Sequence, residues 1–378
     1  MRILHVITSA DPKFGGPIEG VKQRAKVLVA QGHQVEVATV DDPSGAFVKD
    51  FPLPLYALGP GKSSLQVAPK LLEWLLANAS GYDAVIANGI WQYPCWAVHQ
   101  ACKKLKKPYL VFTHGMLDPW FNKAYPLKKL KKQLFWPCQH PVLRDAAAVL
   151  FTCEEEKLLA RQSFSPYNVK ERVVAYGTST PTGDPEAQIA ALVAKFPELS
   201  DSPFLLFLSR IHPKKGVDLL LEAGKSTKAK LAIAGPVDDA YKAELQAIAK
   251  SAGVEDQVVW MGMLQGDLKY GAFRKAEAFI LPSHQENFGI AVVEALACET
   301  PVLITKPVNI WREIEQDDAG LVAEDTVEGV RSLLESWNNV PADRREQMGK
   351  NAKKCFENRF TIEGSATSLL DAIREELH

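Results

Sequence analysis

The sequence lacks features that mark several common protein classes. It has no excess of either charge, because 44 lysines and arginines stand against 45 aspartates and glutamates, whereas a nucleic-acid-binding protein usually shows a basic excess. No apolar run reaches the roughly 18 residues that predict a membrane-spanning helix, and the apolar stretch at the start is too short for a signal peptide. The six cysteines include no C-x-x-C pair. We expect a cytoplasmic protein with reduced core thiols that does not bind nucleic acid.

Two phosphate-binding fingerprints are also missing from the sequence. It contains neither G-x-G-x-x-G nor a P-loop, so it predicts neither a dinucleotide enzyme nor a nucleoside triphosphatase of the common types. No histidines and cysteines stand at the spacing of zinc ligands. The sequence therefore predicts no metal site and calls for no cofactor.

What the sequence does contain is a regular alternation of short apolar runs and amphipathic helical patterns, which predicts βαβ units and parallel sheets. The run of Thr, Ser, Pro and Gly at 178–185 has no apolar periodicity and predicts a join. At 378 residues the chain is long enough for two domains. We expect an α/β protein of two facing, Rossmann-like, doubly wound domains, 1–180 and 181–360, with a C-terminal helix at 361–378 that packs back on the first domain. Strands are predicted at Ile3–Ile7, Val35–Val40, Ala84–Ala87, Tyr109–Phe112, Ala147–Phe151, Val173–Tyr176, Phe204–Leu208, Lys230–Ala234, Val258–Met261, Ala278–Leu281 and Pro301–Thr305.

Two glutamates lie on either side of a predicted strand-to-helix junction. Glu286 falls in the loop after the strand Ala278–Leu281, and Glu294 falls in the second turn of a helix predicted over Phe288–Cys298. Eight residues of helical rise put the carboxylates about 12 Å apart, which is too far for a glycosidase pair. The spacing fits two anchors of a long polar ligand, with a helix N-terminus between them for an anion. The alternative is that both glutamates are ordinary solvated residues near a helix start.

Other residues at predicted strand ends could bind the same kind of ligand. Arg210 and Lys215 follow the strand Phe204–Leu208. The guanidinium of an arginine can donate hydrogen bonds to two oxygens of a diphosphate at once. Gly15 and Gly16 follow the first strand and would let the backbone approach a ligand closely. His114 ends another strand. Each of these groups also has an ordinary explanation. The basic residues could form a solvated turn, the two glycines could belong to a plain loop, and the histidine could be structural.

Taken together, these motifs resemble the retaining family 4 glycosyltransferases of the GT-B fold, and the resemblance covers nearly the whole chain. It rests on Ser-Arg-x-x-Pro-Lys-Lys-Gly at 209–216, Gly235, Gly262, Glu-Asn-Phe-Gly-x-x-x-x-Glu at 286–294 and Ala-Cys-Glu-Thr-Pro-Val at 297–302. The segment 112–120 is similar to members that build bacterial envelope polysaccharides and exopolysaccharides. One departure is Ala-Tyr-Gly-Thr at 175–178, where many relatives have Pro-Asn-Gly.

The resemblance implies a role for each residue of the motifs. Arg210 and Lys215 would neutralise the leaving diphosphate, Glu286 would bind hydroxyls of the donor hexose, and Glu294 would bind those of the ribose. His114 would contact the hexose near its reacting carbon. The remaining residues would contact the donor largely through their backbone: Gly15, Gly16, Asn287, Phe288 and Gly289 at the phosphates and sugar, and Gly262 and Met263 at the base.

The resulting prediction is a retaining hexosyltransferase that uses a nucleotide-diphosphate sugar, with UDP-sugar expected, and needs no metal. Its acceptor would be a glycan or a lipid-linked saccharide of envelope or exopolysaccharide synthesis. Two alternatives share the fold, a UDP-sugar epimerase and a non-catalytic protein that binds sugar nucleotides. An epimerase would need acid and base carboxylates facing the sugar, and the sequence offers no evident set beyond Glu286.

A basic segment at 120–136 suggests a further contact. It has five lysines among leucines and aromatic residues, in a chain of almost zero net charge. Leu127, Leu130 and Leu134 recur at helical spacing. The segment could be a solvated helix packed by its leucines. It could also hold the enzyme peripherally on the inner face of the plasma membrane, where anionic lipids attract lysines.

Overall fold

The protein is described by a computed structural model that covers residues 1–124 and 126–377, apart from the side chains of Phe14 and Lys123. Within these residues the chain forms two compact units, one of 1–177 with 362–378 and one of 178–361. Each unit contains one sheet, in which every pair of neighbouring strands is parallel. The predicted two-sheet α/β fold is confirmed.

The described strands form a seven-stranded sheet in unit 1 and a six-stranded sheet in unit 2. The orders are β3-β2-β1-β4-β5-β6-β7 and β10-β9-β8-β11-β12-β13, so each sheet reverses its strand order beside its first strand. The strands are β1 (Arg2–Ile7), β2 (Gln34–Thr39), β3 (Leu55–Ala57), β4 (Ala84–Asn88), β5 (Leu110–Phe112), β6 (Ala148–Phe151), β7 (Glu171–Val173), β8 (Phe204–Leu208), β9 (Lys230–Ala234), β10 (Val258–Gly262), β11 (Ala278–Leu281), β12 (Val302–Thr305) and β13 (Gly320–Ala323).

Helices connect most of these strands, as parallel pairing requires. They are α1 (Gly16–Ala30), α2 (Ala46–Lys49), α3 (Pro69–Asn78), α4 (Tyr93–Leu105), α5 (Trp120–Ala124), α6 (Pro126–Arg144), α7 (Glu154–Ala160), α8 (Pro185–Lys195), α9 (Val217–Ala223), α10 (Asp239–Ala252), α11 (Gly266–Lys275), α12 (Ile290–Ala297), α13 (Trp311–Gln316), α14 (Val327–Asn339), α15 (Ala342–Cys355) and α16 (Ile362–Leu377). Short 3-10 turns and one π-helical turn at Phe356–Phe360 complete the described structure. Among the described residues, none of the helices combines the length and the apolar character that crossing a bilayer requires.

The apolar runs of unit 1 form strands because both faces of its sheet are covered. Successive residues of β1 point to opposite faces, so Leu4 and Val6 join the core under α3 and α4, while Ile3 joins the core under α1 and α16. The apolar face of the C-terminal helix α16, with Leu369 and Ile373, thus packs on the sheet of unit 1.

Two strands were missed and one was predicted with the wrong bounds. The structure adds β3 and β13, which the sequence reading missed because one is a three-residue strand next to prolines and the other begins with glycine. The last strand of unit 1 was predicted over Val173–Tyr176 but spans Glu171–Val173. The sequence reading missed the start of this strand because Glu171 and Arg172 are charged and break the apolar pattern. In the structure they make ion pairs with Arg161 and Glu375.

Candidate active site

The predicted residues of unit 2 lie after strands that end at one edge of its sheet. Arg210 and Lys215 follow β8, and Glu286 follows β11. These two strands are neighbours at the point where the strand order reverses. Such reversal points open a crevice at the carboxyl ends of parallel strands, where α/β proteins bind ligands.

The basic loop after β8 is fixed against the loop after β11. Gly216 has a left-handed φ of 68°, and a Cβ there would lie 2.0 Å from the carbonyl oxygen of Pro282, so only glycine fits. The carbonyl of Lys214 accepts hydrogen bonds from Ser283 Oγ (3.0 Å) and His284 N (2.9 Å). These contacts hold Lys215 beside the loop that carries Glu286.

Lys215 and Glu286 form an ion pair, which brings together two predicted residues that are 71 positions apart. The lysine side chain is only 11% exposed and that of Glu286 is 23% exposed, so the pair is largely shielded from water. The backbone of Glu286 is fixed as well, since its N–H donates to Pro307 O (2.9 Å) and its carbonyl accepts from Asn309 N (3.0 Å).

The surroundings of this pair are electropositive. Arg210 is exposed at the end of β8. The pKa of His212 is lowered, first by burial and then by the charges of Arg210 and Lys214. Burial alone would lower this pKa, but the charges of Arg210, Lys214 and Lys215 also act on the ring, so three cationic side chains lie around it. Such a site attracts an anion such as a diphosphate.

Glu294 belongs to a second ion pair, which the sequence reading missed. Its carboxylate lies 2.7 Å from Nζ of Lys269 in α11, and the glutamate side chain is 13% exposed. Burial disfavours the charged form of Lys269, but the Glu294 carboxylate overcomes this and raises the pKa of the lysine. No local pattern indicated this partner, because Lys269 lies 25 positions away on another helix.

The helix that carries Glu294, α12, begins at Ile290, two residues later than predicted. Gly289 has a left-handed φ of 82° and no side chain caps α12, so Glu294 lies in the second turn. Asn287 is half-buried in the preceding loop. Phe288 is buried and its ring packs edge-on against Phe360, 5.6 Å between centroids, so its side chain serves the core.

The predicted base-binding residues lie at the end of β10. Gly262 has a φ of 64° and open space on the side where a Cβ would stand, and its carbonyl accepts from Gly235 N (2.8 Å). Met263 is 60% exposed. Sequence reasoning missed Asn309, whose buried side-chain amide finds no hydrogen-bond partner among the described residues. A buried amide of this kind next to Glu286 is a candidate ligand contact.

Unit 1 has its own cavity, of about 270 Å³, at the carboxyl ends of its central strands. Its walls include Thr8, Asp41, Asn88 and His114, which lie at or just after the ends of β1, β2, β4 and β5. The strand order reverses between β1 and β4, in the middle of this group. This cavity therefore occupies the position at which α/β sheets bind ligands.

His114 is held in this cavity by an unusual conformation and a buried chain of polar groups. Its φ is 48°, its ring stacks on Phe112, and its Nε2 lies 3.2 Å from Oδ1 of Asn88. Nδ2 of Asn88 donates to the carbonyl of Ile86 and contacts His5 Nδ1. Because the amide nitrogen is committed there, the amide oxygen accepts from His114, which places that ring's proton on Nε2. Burial and the charge of Arg24 lower the pKa of His114 to about 3, so the ring is neutral near pH 7.

The loop around His114 depends on a buried carboxylate that sequence reasoning missed. Glu156 accepts hydrogen bonds from Thr113 Oγ1 (2.8 Å), Gly115 N (2.6 Å) and Thr152 N (2.7 Å). It lies in the run Glu154–Glu156 that begins α7, which reads as an ordinary acidic first turn. Its position in the first turn of the helix that follows β6 was the available clue.

Gly15 and Gly16 lie where α1 begins. Gly15 has a φ of 77°, and both glycines are exposed with open space around them. Tyr176 packs against Gly20 and donates a hydrogen bond to Gly16 O (3.3 Å). Tyr176 thus helps to position the glycine loop.

The basic segment forms α5 and the start of α6, except that Tyr125 and the side chain of Lys123 lie outside the described residues. The idea that its leucines pack inward is wrong. Leu127, Leu130 and Leu134 are 79%, 60% and 74% exposed.

Comparison with known proteins agrees with this architecture. Residues 15–177 match the model of the glycosyl transferase 4-like domain, and residues 189–355 match that of the glycosyl transferases group 1. An uncharacterised glycosyltransferase of Methanocaldococcus jannaschii is 27% identical over 99% of this chain and 98% of its own length. The match to the O-antigen chain mannosyltransferase C of Escherichia coli is 26% identical and spans 62% of each chain. The fold is similar to that of Anabaena HepE in complex with UDP, with a TM-score of 0.79, 18% identity and coverage of 99% and 100%. The chain belongs to the glycosyltransferases of the family 4 type, with the GT-B fold.

Proposed function

We propose that this glycosyltransferase moves a hexose from a UDP-sugar to a saccharide acceptor with retention of anomeric configuration. The observation that carries the donor assignment is the pair of carboxylates on either side of the start of α12, each held by a lysine, Glu286 by Lys215 and Glu294 by Lys269. The uncapped helix start between them would face the diphosphate. Complexes of Anabaena HepE with UDP and with UDP-glucose support the choice of nucleotide.

In this proposal each donor contact has a separate task. Glu294 would accept hydrogen bonds from the ribose, and Glu286 would accept them from the hexose. Asn287, Phe288 and Gly289 would offer backbone N–H groups to the sugar and phosphate. The base would rest near Gly262 and Met263. Unit 2 would thus be the donor unit, and unit 1 the acceptor unit.

The reaction would need charge stabilisation more than proton transfer by a side chain. The bond from the anomeric carbon to the phosphate oxygen breaks, and its electron pair leaves with the diphosphate, which Arg210 and Lys215 stabilise. The acceptor oxygen bonds to the same face of that carbon and its proton passes to the departing phosphate oxygen. Gly15 and Gly16 would close over the phosphates, and the neutral His114 would contact the hexose without adding charge. No metal ion is required, because the two cationic side chains take its electrostatic role.

We further propose that the acceptor is a glycan or lipid-linked saccharide of envelope or exopolysaccharide synthesis, used at the inner face of the plasma membrane. The exposed leucines of α6 support this, since they lie on the helix that also carries Lys128, Lys129 and Lys131. Apolar residues entering the lipid with lysines at the headgroups are typical of interfacial helices.

The test is a screen of nucleotide-sugars against the purified protein, with mass spectrometry of the nucleotide and sugar products. We expect UDP to be released from one UDP-sugar, slowly with water and faster with acceptor, and the new bond to keep the donor's anomeric configuration by NMR. An epimerase would return a different nucleotide-sugar. A protein that only binds the donor would leave it unchanged, and either result would contradict the proposal.

A further inference from the structure

Unit 1 contains a second cavity, of about 300 Å³, and the proposed function gives none of its lining residues a role. Its wall is mainly apolar and aromatic, with Leu65, Val67, Trp91, Trp96, Phe135 and Cys138 among the lining residues. This size is at the lower limit of small-molecule sites, which are themselves mostly apolar. The cavity is therefore large enough for part of a ligand.

The cavity is preformed rather than a loose gap between side chains. The indole of Trp91 donates to Met116 O (3.2 Å), and its backbone N–H donates to Gln139 Oε1 (3.0 Å). Its ring also packs against Trp136 and Phe164, with centroids 5.8 and 5.1 Å away. Because these contacts already hold Trp91 in place, ligand binding costs little conformational entropy in this wall.

The mouth of the cavity is continuous with an exposed apolar surface. Leu65, Trp96 and Phe135 are 43%, 38% and 38% exposed, and Cys138 is exposed as well. On α6, Cys138 follows Leu134 by one helical turn, and Leu134 follows Leu130 by another, so these side chains form one row. The exposed leucines thus lead along the helix to the cavity.

A basic cavity adjoins the same tryptophan. It measures about 310 Å³ and is lined by Lys128, Lys129 and Lys132 together with Phe121 and Asn122. Nζ of Lys132 lies 4.7 Å from the centre of the Trp91 ring. Burial lowers the pKa of Lys132, and the charge of Lys128 lowers it further, so a bound anion would stabilise the protonated lysine.

We propose that the apolar cavity holds the hydrocarbon chain of a phosphate-bearing lipid, whose phosphate is bound by Lys128, Lys129 and Lys132. An extended peptide fits less well, because the apolar wall would leave its backbone N–H and C=O groups without partners. Gln92 lines both this cavity and the one that contains His114. The identification of this lipid as the carrier of the acceptor saccharide rests on the proposed function.

The test measures binding of n-alkyl phosphates with chains of 6 to 12 carbons, each below its micelle concentration, by calorimetry. We expect affinity to rise about fourfold for each added methylene, which is the value for burying one CH₂ group, and to level off once the cavity is full. Inorganic phosphate should bind far more weakly. Equal affinity across the series would overturn the proposal.

Two variants at the mouth of the cavity test its location. Cys138→Trp fills the opening and Leu65→Gln makes its rim polar, and both positions are exposed, so the fold is expected to survive. Each of the two substitutions should weaken binding of dodecyl phosphate at least tenfold. Val29→Ser removes an equally exposed apolar side chain (48%) from α1 and should have no effect. Circular dichroism confirms folding, and dodecyl phosphate binding that is unchanged in both folded mouth variants would refute the site.

Turnover of UDP-sugar by the same preparations separates this inference from the proposed function. If the wild-type protein releases UDP but binds no alkyl phosphate, the cavity assignment is wrong and the transferase stands. If it binds the alkyl phosphates in the expected series but turns over no nucleotide-sugar, the lipid site stands and the proposed reaction is wrong.

Discussion

The two glutamates of unit 2 should separate by role when each is changed to glutamine. The substitution keeps the shape of the side chain and removes its charge. In Glu294→Gln the group that is proposed to bind the ribose can no longer accept charge-assisted hydrogen bonds, and Lys269 loses its partner at 2.7 Å. In Glu286→Gln the ion pair with Lys215 is lost, but UDP has no hexose for that residue to contact.

The expected magnitudes differ for this reason. A hydrogen bond to a charged group contributes about 1.5–3 kcal/mol, so Glu294→Gln should weaken UDP binding by about 10- to 100-fold. Glu286→Gln should leave UDP affinity within about threefold, because losing the ion pair releases Lys215, which can still approach the diphosphate. The same variant should slow turnover of UDP-sugar by about 10- to 100-fold, because it removes a charge-assisted hydrogen bond to the hexose.

Calorimetry with UDP and a turnover assay with UDP-sugar on both variants decide the matter. Glu299→Gln is a matched control, since Glu299 is exposed two residues beyond the end of α12. It should bind UDP like the wild-type protein. Equal losses of UDP affinity in Glu286→Gln and Glu294→Gln would show that the two carboxylates do not bind opposite ends of the donor.

Metal dependence, acid stability and membrane binding provide three further tests. Donor turnover should survive EDTA, and Arg210→Ala should slow it about 10²–10³-fold; rescue of chelated enzyme by Mg²⁺ would contradict this. Burial lowers the pKa of His5 and of His114 to about 3, so unfolding exposes groups that bind protons more readily and stability should fall as the pH drops from about 6.5 towards 3, by up to about 1.4 kcal/mol per pH unit for each histidine. Urea denaturation should show a shallower fall in His5→Gln. Changing Lys128, Lys129, Lys131 and Lys132 to Gln should abolish co-sedimentation with anionic vesicles, and unaltered sedimentation would exclude this segment as the membrane contact.

The sequence by itself determined the fold class and the identity of the motif residues. Strands buried on both faces leave long apolar runs, so Phe204–Leu208, Lys230–Ala234 and Ala278–Leu281 were predicted with their observed bounds. Residues at strand ends, such as Arg210 and Glu286, could be named because the carboxyl ends of parallel strands share one edge. These features are local patterns, and local patterns are visible in one dimension.

Only the tertiary structure decided which side chains meet. The ion pair of Glu294 with Lys269 joins two helices, and the carboxylate of Glu156 supports the His114 loop from a different strand end. The direction of the α6 leucines was also undetermined, because helical spacing shows that they share a face and not whether that face is covered. Contacts between distant segments depend on packing in three dimensions, and no periodicity along the chain encodes them.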